Sequence, residues 1–494
     1  MKTSSALLSL VSGLLLTAVA PSQAEMALEV SQYGITWTFD KPYTVGRFIT
    51  GDWWVIGPVN IVKVEPAAGP LGDGAVKTGE VKSRYGAPSM KDDSRMRNGS
   101  MIVLEPNPGQ GYDSRLLNYD PNLSVRFPLD LPVNRSLIST ISNDKFPAPV
   151  LHEALMWTSE KNNNLALESA AVLTCLSEEP PADAFRPPFA GTEKTIYRWK
   201  NLRWDILPSL QPAGKVPDYK QFARYFERPW LDHMPNWMYQ NMGPRLNQFN
   251  YGREYSRATG MTSLMLMLNV PQEWKEDLMR GFVQFGIDLA GLSEAGRVWT
   301  SDGGHWIGRK WPILFTGMML GDEKIQALAT DGDFSENRQT YYGKGWHGQT
   351  VLYQIGLHTG PQPPYEEIPP AEWDAKQKQQ EGYRTSTISG SWPGTALAVQ
   401  LMGAKALWNH DAFFDYVDRW MRQDDPYASA RKNSQRPKEE GKSQDAFVDA
   451  MWMAYRNKVP DQQGGKEPTK WVWTAGKNGK YISNPKPEKA EQSE

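Results

Sequence analysis

The hydrophobic pattern of the chain changes at a proline-rich segment, residues 179–188 (EPPADAFRPP). Before this segment, apolar residues occur in short runs that are rich in β-branched and aromatic side chains, separated by clusters of Gly, Pro, Asn and Asp. After it, the apolar runs are long enough to form helices. Because proline-rich stretches commonly separate regular units, we expect a domain junction here. A chain of this length also favours two or three domains over one core.

The first part, residues 25–190, is expected to be a β-rich domain resembling an antiparallel sandwich. Short strands bounded by turn residues are typical of that fold. One helix is predicted near Leu151–Thr158. The predicted strands include Ile35–Phe39, Trp53–Ile56, Asn60–Val64, Ser100–Leu104, Leu123–Phe127 and Ala170–Leu176.

The second part, residues 191–460, is expected to be an α/α toroid. Its apolar segments contain interleaved small residues and start at intervals of about 40–53 residues, a spacing typical of repeated helical hairpins. Amphipathic segments such as Gln272–Leu289 and Asp411–Arg422 lie between them, which predicts inner apolar and outer amphipathic helices. An open solenoid would require closer similarity among the repeats. The apolar segments are Met261–Leu268, Pro312–Leu320, Val351–Leu357, Ala396–Ala406 and Ala446–Tyr455. Residues 461–494 are predicted to form a polar tail.

Residues 1–24 have the pattern of a cleavable signal peptide. Lys2 precedes an apolar stretch of about 15 residues, and Ser22-Gln23-Ala24 ends it with small residues. A membrane-spanning helix requires about 20 apolar residues. We therefore expect cleavage after Ala24, a secreted or periplasmic location and no membrane span.

Composition narrows the class of partner. The net charge of −2 argues against a nucleic-acid-binding protein that neutralises phosphates. The single cysteine, Cys175, excludes an intramolecular disulfide and is predicted to be a buried thiol. The six histidines lack the spacing of a zinc site, and no metal or cofactor is expected. The 20 tryptophans favour a carbohydrate partner, because aromatic faces stack on sugar rings.

Polar loops precede four of the apolar segments, and in a toroid they would converge at one mouth. The most specific is Gly303–Lys310 (GGHWIGRK), because glycines followed by cationic groups at a helix N-terminus suit an anion. Substrate-binding residues are predicted to be Arg253, Lys310, Trp306, Trp346, His347, Arg384 and Tyr383.

β-Elimination of a uronic-acid polymer uses tyrosine, histidine and arginine side chains, all of which the predicted loops contain, and requires no metal. The proton beside a carboxylate becomes acidic when that carboxylate is neutralised, and one well-placed donor contributes about 3–4 kcal/mol. We assign this neutralisation to His305 and Arg309, with Asn250 assisting. A tyrosine then transfers the proton, because nearby cations lower its pKa. Tyr255 is the first candidate, followed by Tyr251 and Tyr342.

The β-rich first half, Phe185–Phe189 (FRPPF) and Gly303–Pro312 (GGHWIGRKWP) together resemble secreted bacterial polysaccharide lyases with α/α toroid domains, in particular glucuronan and alginate lyases. The resemblance covers about residues 190–460 and implies a lyase acting on an anionic polysaccharide. Such lyases commonly carry an Asn–His pair at one inner-helix start and an Arg near a Tyr at another. Here Asn250 and His305 are on separate loops, and Arg253 and Tyr255 are more closely spaced.

Two other functions fit the sequence. An inverting glycoside hydrolase on the same toroid needs two carboxylates about 6.5–9.5 Å apart, which Glu254, Asp302 and Glu381 could supply. A non-catalytic glycan-binding surface protein would explain the tryptophans without the basic loops. Absorbance near 235 nm and the release of reducing ends together separate the three functions. A lyase makes an unsaturated product, a hydrolase releases only reducing ends, and a binder does neither.

Overall fold

The computed structural model describes residues 24–70, 96–143 without 108, 115 and 117, 167–234, 242–355 without 250, 301 and 302, 365–422, 443–459, 474–475 and 481–482. The predicted signal peptide, the helix predicted near Leu151–Thr158 and most of the predicted tail lie outside the described residues. The rest forms a mixed α+β protein, with a β-rich N-terminal part followed by a helical part. That order confirms the predicted fold class at this level.

The N-terminal strands are β1 Glu25–Gln32, β2 Ile35–Arg47, β3 Trp53–Ile56, β4 Val59–Glu65, β5 Gly69–Pro70, β6 Met96–Arg97, β7 Ser100–Met101, β8 Leu129–Leu131, β9 Arg135–Ser142 and β10 Leu167–Leu176. Most of them belong to one eight-stranded sheet, in the order β7-β9-β10-β3-β2-β4-β8 with β1 paired to β2. All pairs in this sheet are antiparallel except β10 with β3. β5 and β6 form a separate two-stranded sheet.

The sheet curls on itself instead of stacking against a second sheet as a sandwich would. The Trp37 indole N–H on β2 donates to Ser139 Oγ on β9 at 3.0 Å, although two strands lie between them. Cys175 Sγ on β10 lies 3.6 Å from the Leu131 carbonyl oxygen on β8. Because curling buries the inner face, the strands have the same alternation of buried and exposed side chains as those of a sandwich, which was the predicted fold. Cys175 is buried as predicted, and burial raises the pKa of its thiol to about 12.

The outer face of the sheet packs against the helical part. Ala170 and Val172 of β10 belong to the same apolar core as the helices, whereas their neighbours Ala171 and Leu173 face the inside of the curl. The helices are α1 Tyr219–Tyr225, α2 Gly252–Leu266, α3 Gln272–Glu294, α4 Lys310–Leu320, α5 Glu323–Thr330, α6 Ser335–Gln339, α7 Ala375–Tyr383, α8 Pro393–Leu401, α9 Lys405–Trp408, α10 Asp411–Arg422 and α11 Ala446–Tyr455.

A series of contacts between six of the helices closes on the helix from which it starts. α2 contacts α3, α3 contacts α4, α4 contacts α5, α5 contacts α9, α9 contacts α8, and α8 contacts α2. α2, α4 and α8 are buried over most of their length, as predicted for apolar segments with small residues. At Gly260 of α2, a Cβ would lie 2.7 Å from the Thr395 backbone nitrogen, so this glycine allows α2 and α8 to approach closely.

Two secondary-structure predictions were wrong, and one long strand was missed. The third apolar segment contains β12 (Val351–Tyr353), which pairs with β11 (Thr340–Tyr342) in a hairpin instead of forming a helix. Leu123–Phe127 forms no strand. β9 was missed because its buried serines and threonines, bonded across the sheet, interrupt the apolar pattern. In the last residues, β13 (Thr474–Ala475) pairs with β14 (Tyr481–Ile482).

The predicted junction contains a buried arginine that joins the two parts. Arg186 donates from Nε to Asp52 Oδ2 at 2.8 Å, in the loop between β2 and β3. Its Nη1 and Nη2 donate to both carboxylate oxygens of Asp288 on α3, at 2.9 and 2.6 Å. Phe185 and Phe189, on either side, are fully buried in the core.

Candidate functional site

The glycine-rich loop that precedes α4 lies against the first turn of α2. A Cβ at Gly252 would be 2.2 Å from the carbonyl oxygen of Gly304. Gly308 has φ +88°, and a Cβ there would be 2.5 Å from the Ser256 backbone nitrogen. Only glycine fits at both contacts. This close approach brings together two of the loops that carry candidate residues.

Tyr251 and His305 are in ring contact where these loops meet. Their centroids are 4.8 Å apart with an interplanar angle of 75°, and both side chains are half-buried. Tyr383, also half-buried, lies beside Gly303, with a ring carbon 3.0 Å from where a Cβ of this glycine would stand. We call Tyr251, His305 and Tyr383 the Tyr–His–Tyr cluster.

Irregular backbone follows Tyr383. α7 continues into a π-helix over Arg384–Ile388, and a Cβ at Gly304 would lie 2.5 Å from the Thr387 methyl group in this segment. Single π turns within helices occur frequently at functional sites. The backbone irregularity therefore coincides with the cluster.

Charged side chains beside the cluster form buried pairs. Arg253 donates from Nε to Glu254 Oε1 at 2.7 Å and from Nη1 to the Ser386 carbonyl at 3.2 Å. Arg257 bonds the Asp445 carboxylate at 2.7 and 3.0 Å. Burial raises the pKa of Glu254 even though Arg253 and Arg257 oppose this shift. Among the described residues, Glu254 Oε2 has no hydrogen-bond partner.

Arg309 and Lys310 point into the protein. The Arg309 guanidinium is fully buried, donates to Asp232 Oδ2 at 2.9 Å and lies 3.5 Å above the Tyr255 ring. Lys310 Nζ donates to the Trp408 carbonyl at 2.6 Å, and burial lowers the pKa of its ammonium group to about 7. These environments favour structural support of the loop over contact with a substrate.

The other two candidate tyrosines differ in exposure. Tyr255 is fully buried, and its hydroxyl accepts a hydrogen bond from Gln248 Nε2 at 2.5 Å. Tyr342 on β11 is 44 % exposed and donates to Asp415. Burial and the Asp415 carboxylate raise the pKa of Tyr342, which disfavours a tyrosinate there. Tyr251 therefore has the best placement of the three.

The predicted substrate-binding residues are divided between surface and core. Trp346 is 45 % exposed, and its ring lies 5.5 Å from the exposed His347 ring on the loop between β11 and β12. Trp306 is buried beneath the Arg297 guanidinium at 4.4 Å. Arg384 is buried and bonds Glu381 at 2.8 and 3.0 Å. Asn250 and Asp302 lie outside the described residues.

Sequence reasoning missed the residues that hold the loop. Asp232 accepts from Arg309 and also from the Trp299 indole N–H at 3.0 Å, and it is fully buried. Glu336, Asn337 and Gln339 of α6 bond other residues of the loop. A helix of five residues gives no periodic signal, so no sequence pattern marked these side chains.

Within the described ranges, no group of three or more His, Cys, Asp or Glu side chains could hold a metal ion. The helices described are also too short or too polar to cross a membrane. Comparisons with protein-family models, with curated proteins and with solved structures find no match.

Proposed function

We propose that the protein is a secreted polysaccharide lyase that cleaves a uronic-acid-containing polymer by β-elimination at the Tyr–His–Tyr cluster. The observation that carries this proposal is the contact between the Tyr251 and His305 rings, half-exposed, at the start of α2. A proton-transferring tyrosine and a polar group able to bind the substrate carboxylate must lie this close together.

In the proposed reaction, His305 donates a hydrogen bond to the substrate carboxylate. The N-terminal end of α2 favours the same anion, because first-turn N–H groups point out of a helix end. The side chain of Tyr251, which flanks this end, makes no capping bond. Asn250 precedes it in the sequence and remains in its predicted assisting role.

Tyr251, as a tyrosinate, then takes the proton from the carbon beside the carboxylate. The electron pair of that C–H bond forms the carbon–carbon double bond, and the glycosidic C–O bond breaks. Tyr383 donates its proton to the leaving oxygen. We assign Tyr251 in place of Tyr255, because the hydroxyl of Tyr255 is buried and bonded to Gln248.

The helical part is proposed to be an α/α toroid. Support comes from the closed series of contacts through α2, α3, α4, α5, α9 and α8. In such a ring, loops entering the inner helices share one mouth, which is consistent with the meeting of the α2 and α4 loops. The exposed Trp346 and His347 are proposed to bind sugar units beyond the cleaved bond.

The test is absorbance near 235 nm during incubation with glucuronan, alginate and a neutral glucan. Tyr251→Phe and His305→Ala should each lower the elimination rate about 10²-fold or more, the scale for loss of an acid–base or electrostatic group. Tyr342→Phe is the matched control and should remain within about twofold of the wild type. Unchanged rates in folded Tyr251→Phe and His305→Ala would remove the cluster from the reaction.

An inverting glycoside hydrolase is the second candidate, and the raised pKa of Glu254 favours it. Burial keeps this carboxyl group protonated to higher pH, as a general acid requires. New reducing ends without absorbance at 235 nm, abolished by Glu254→Gln, would identify this reaction. Polymer binding without either product would identify a glycan-binding protein.

A further inference from the structure

The five-residue helix α6 holds the glycine-rich loop on both sides of His305. On one side, Gln339 Nε2 donates to the Gly303 carbonyl at 2.6 Å and also to the Ile355 carbonyl at 2.9 Å. On the other side, the Gly308 backbone N–H donates to Glu336 Oε1 at 2.6 Å. Between these two anchors lie only four residues, with His305 among them.

A third side chain of α6 fixes the residue that begins α4. Asn337 Oδ1 accepts from Lys310 Nζ at 2.8 Å. The three side chains are all buried, and Gln339 is fully inaccessible to solvent. We call Glu336, Asn337 and Gln339 the α6 anchors.

Burying the polar side chains of the α6 anchors would cost free energy if they made no hydrogen bonds, so their bonds to the loop contribute to stability. A buried polar group that loses its partner costs about 1–3 kcal/mol, and a charged group costs more. Glu336 is 1 % exposed, and burial raises the pKa of its carboxyl group. Glu336 accepts a hydrogen bond from the backbone N–H of Gly308. The φ of Gly308 is +88°, a conformation that would strain any residue other than glycine.

We infer that the α6 anchors are positioning residues that set the orientation of His305 against Tyr251. Through Gln339 and Glu336 they fix the loop backbone at Gly303 and Gly308, and that backbone carries the imidazole. This inference rests on the proposed function only where it concerns the rate of elimination. The placement of His305 is a separate consequence that can be measured without any substrate.

The first measurement is the rate at which diethyl pyrocarbonate acylates each histidine, resolved by peptide mass spectrometry at neutral pH. Gln339→Leu and Glu336→Leu should change the rate at His305 at least threefold. The exposed His347 serves as an internal reference in the same sample and should keep its rate. Glu336→Gln should restore the wild-type rate at His305, because its amide oxygen can still accept from Gly308 N–H.

Gln284→Leu is the matched control variant. Gln284 is also buried and also donates its amide to a backbone carbonyl, that of Arg186 at 2.9 Å, but on α3. It should leave the His305 rate unchanged even if it lowers stability. If Gln339→Leu does not fold, Gln339→Asn replaces it, since the shorter amide loses its reach to Gly303.

The second measurement is steady-state elimination on the polymer that the wild type cleaves. Gln339→Leu and Glu336→Leu should lower kcat about 10²-fold with KM within about threefold, as expected when a reacting group is displaced by about 1 Å. An unchanged His305 acylation rate in both folded variants would overturn the inference. Absence of elimination by the wild type would instead overturn the proposed function and leave the acylation result to decide on the anchors.

Discussion

Asp288→Asn should destabilise the protein by about 3 kcal/mol or more, because it breaks the buried ion pair that joins the sheet to the helical part. The side chains of Arg186 and Asp288 are 1 % and 4 % exposed. Removing one partner of such a pair costs about 3–5 kcal/mol, since the remaining charge stays buried. Asn retains one acceptor oxygen, while Asp52 remains 2.8 Å from Arg186, so we expect the lower end of this range.

The same substitution elsewhere on α3 provides the control. Asp277 bonds Arg280 at 2.6 Å, but its side chain is 75 % exposed. Exposed pairs contribute about 0–1 kcal/mol, so Asp277→Asn should change the free energy of unfolding by less than about 1 kcal/mol. Urea titrations followed by tryptophan fluorescence measure both variants. Equal shifts in the unfolding midpoint would refute the claim that burial sets the strength of the Arg186 pair.

Two further predictions concern pH and substrate binding. Burial lowers the pKa of His233 and His410 to about 3, so the folded protein stays neutral at sites that the unfolded chain protonates below about pH 6.5. The free energy of unfolding should therefore fall as pH decreases from about 6.5 towards 3. Measured by urea titration, His233→Leu should reduce the fall between pH 6 and pH 5 by about 1.2 kcal/mol. An unaltered slope would contradict the burial argument. Trp346→Ala should weaken polymer binding about 3- to 10-fold in calorimetry without loss of stability. Trp306→Ala, at a buried position, should instead destabilise the fold by about 3–5 kcal/mol. Similar losses of stability in both variants would count against a surface role for Trp346.

Local hydrophobic patterns predicted helices correctly where apolar residues repeat with the helical period over a long segment. α10 has the predicted bounds, Asp411–Arg422, and α3 starts at the predicted Gln272. The short apolar run after Thr350 was ambiguous, because a run of this length suits a buried strand as well as a helix. Two residues of its pairing partner, Tyr341 and Tyr342, belong to the polar loop predicted before this segment.

The sequence placed candidate residues on two loops that meet, but it did not specify how their side chains are oriented. The glycines of Gly303–Lys310 were expected to suit a bound anion, whereas in the structure Gly304 and Gly308 lie against the first turn of α2. The burial of Arg309 depends on Asp232, which is 77 positions away, and that of Lys310 on Trp408, which is 98 positions away. No local pattern specifies which distant group a cation will bond, so the two cations were expected to face a substrate.

The position of β10 in the curled sheet has a consequence for the order of folding during synthesis. β10 fills the gap between β3 and β9, with Leu173 beside Trp53, on the order of a hundred residues earlier in the chain. Pairing over such a separation closes a large loop and is slow. During synthesis, one edge of β3 stays unpaired until β10 has been added to the chain. A nascent chain that lacks β10 therefore exposes an unpaired strand edge, and unpaired strand edges are prone to aggregation.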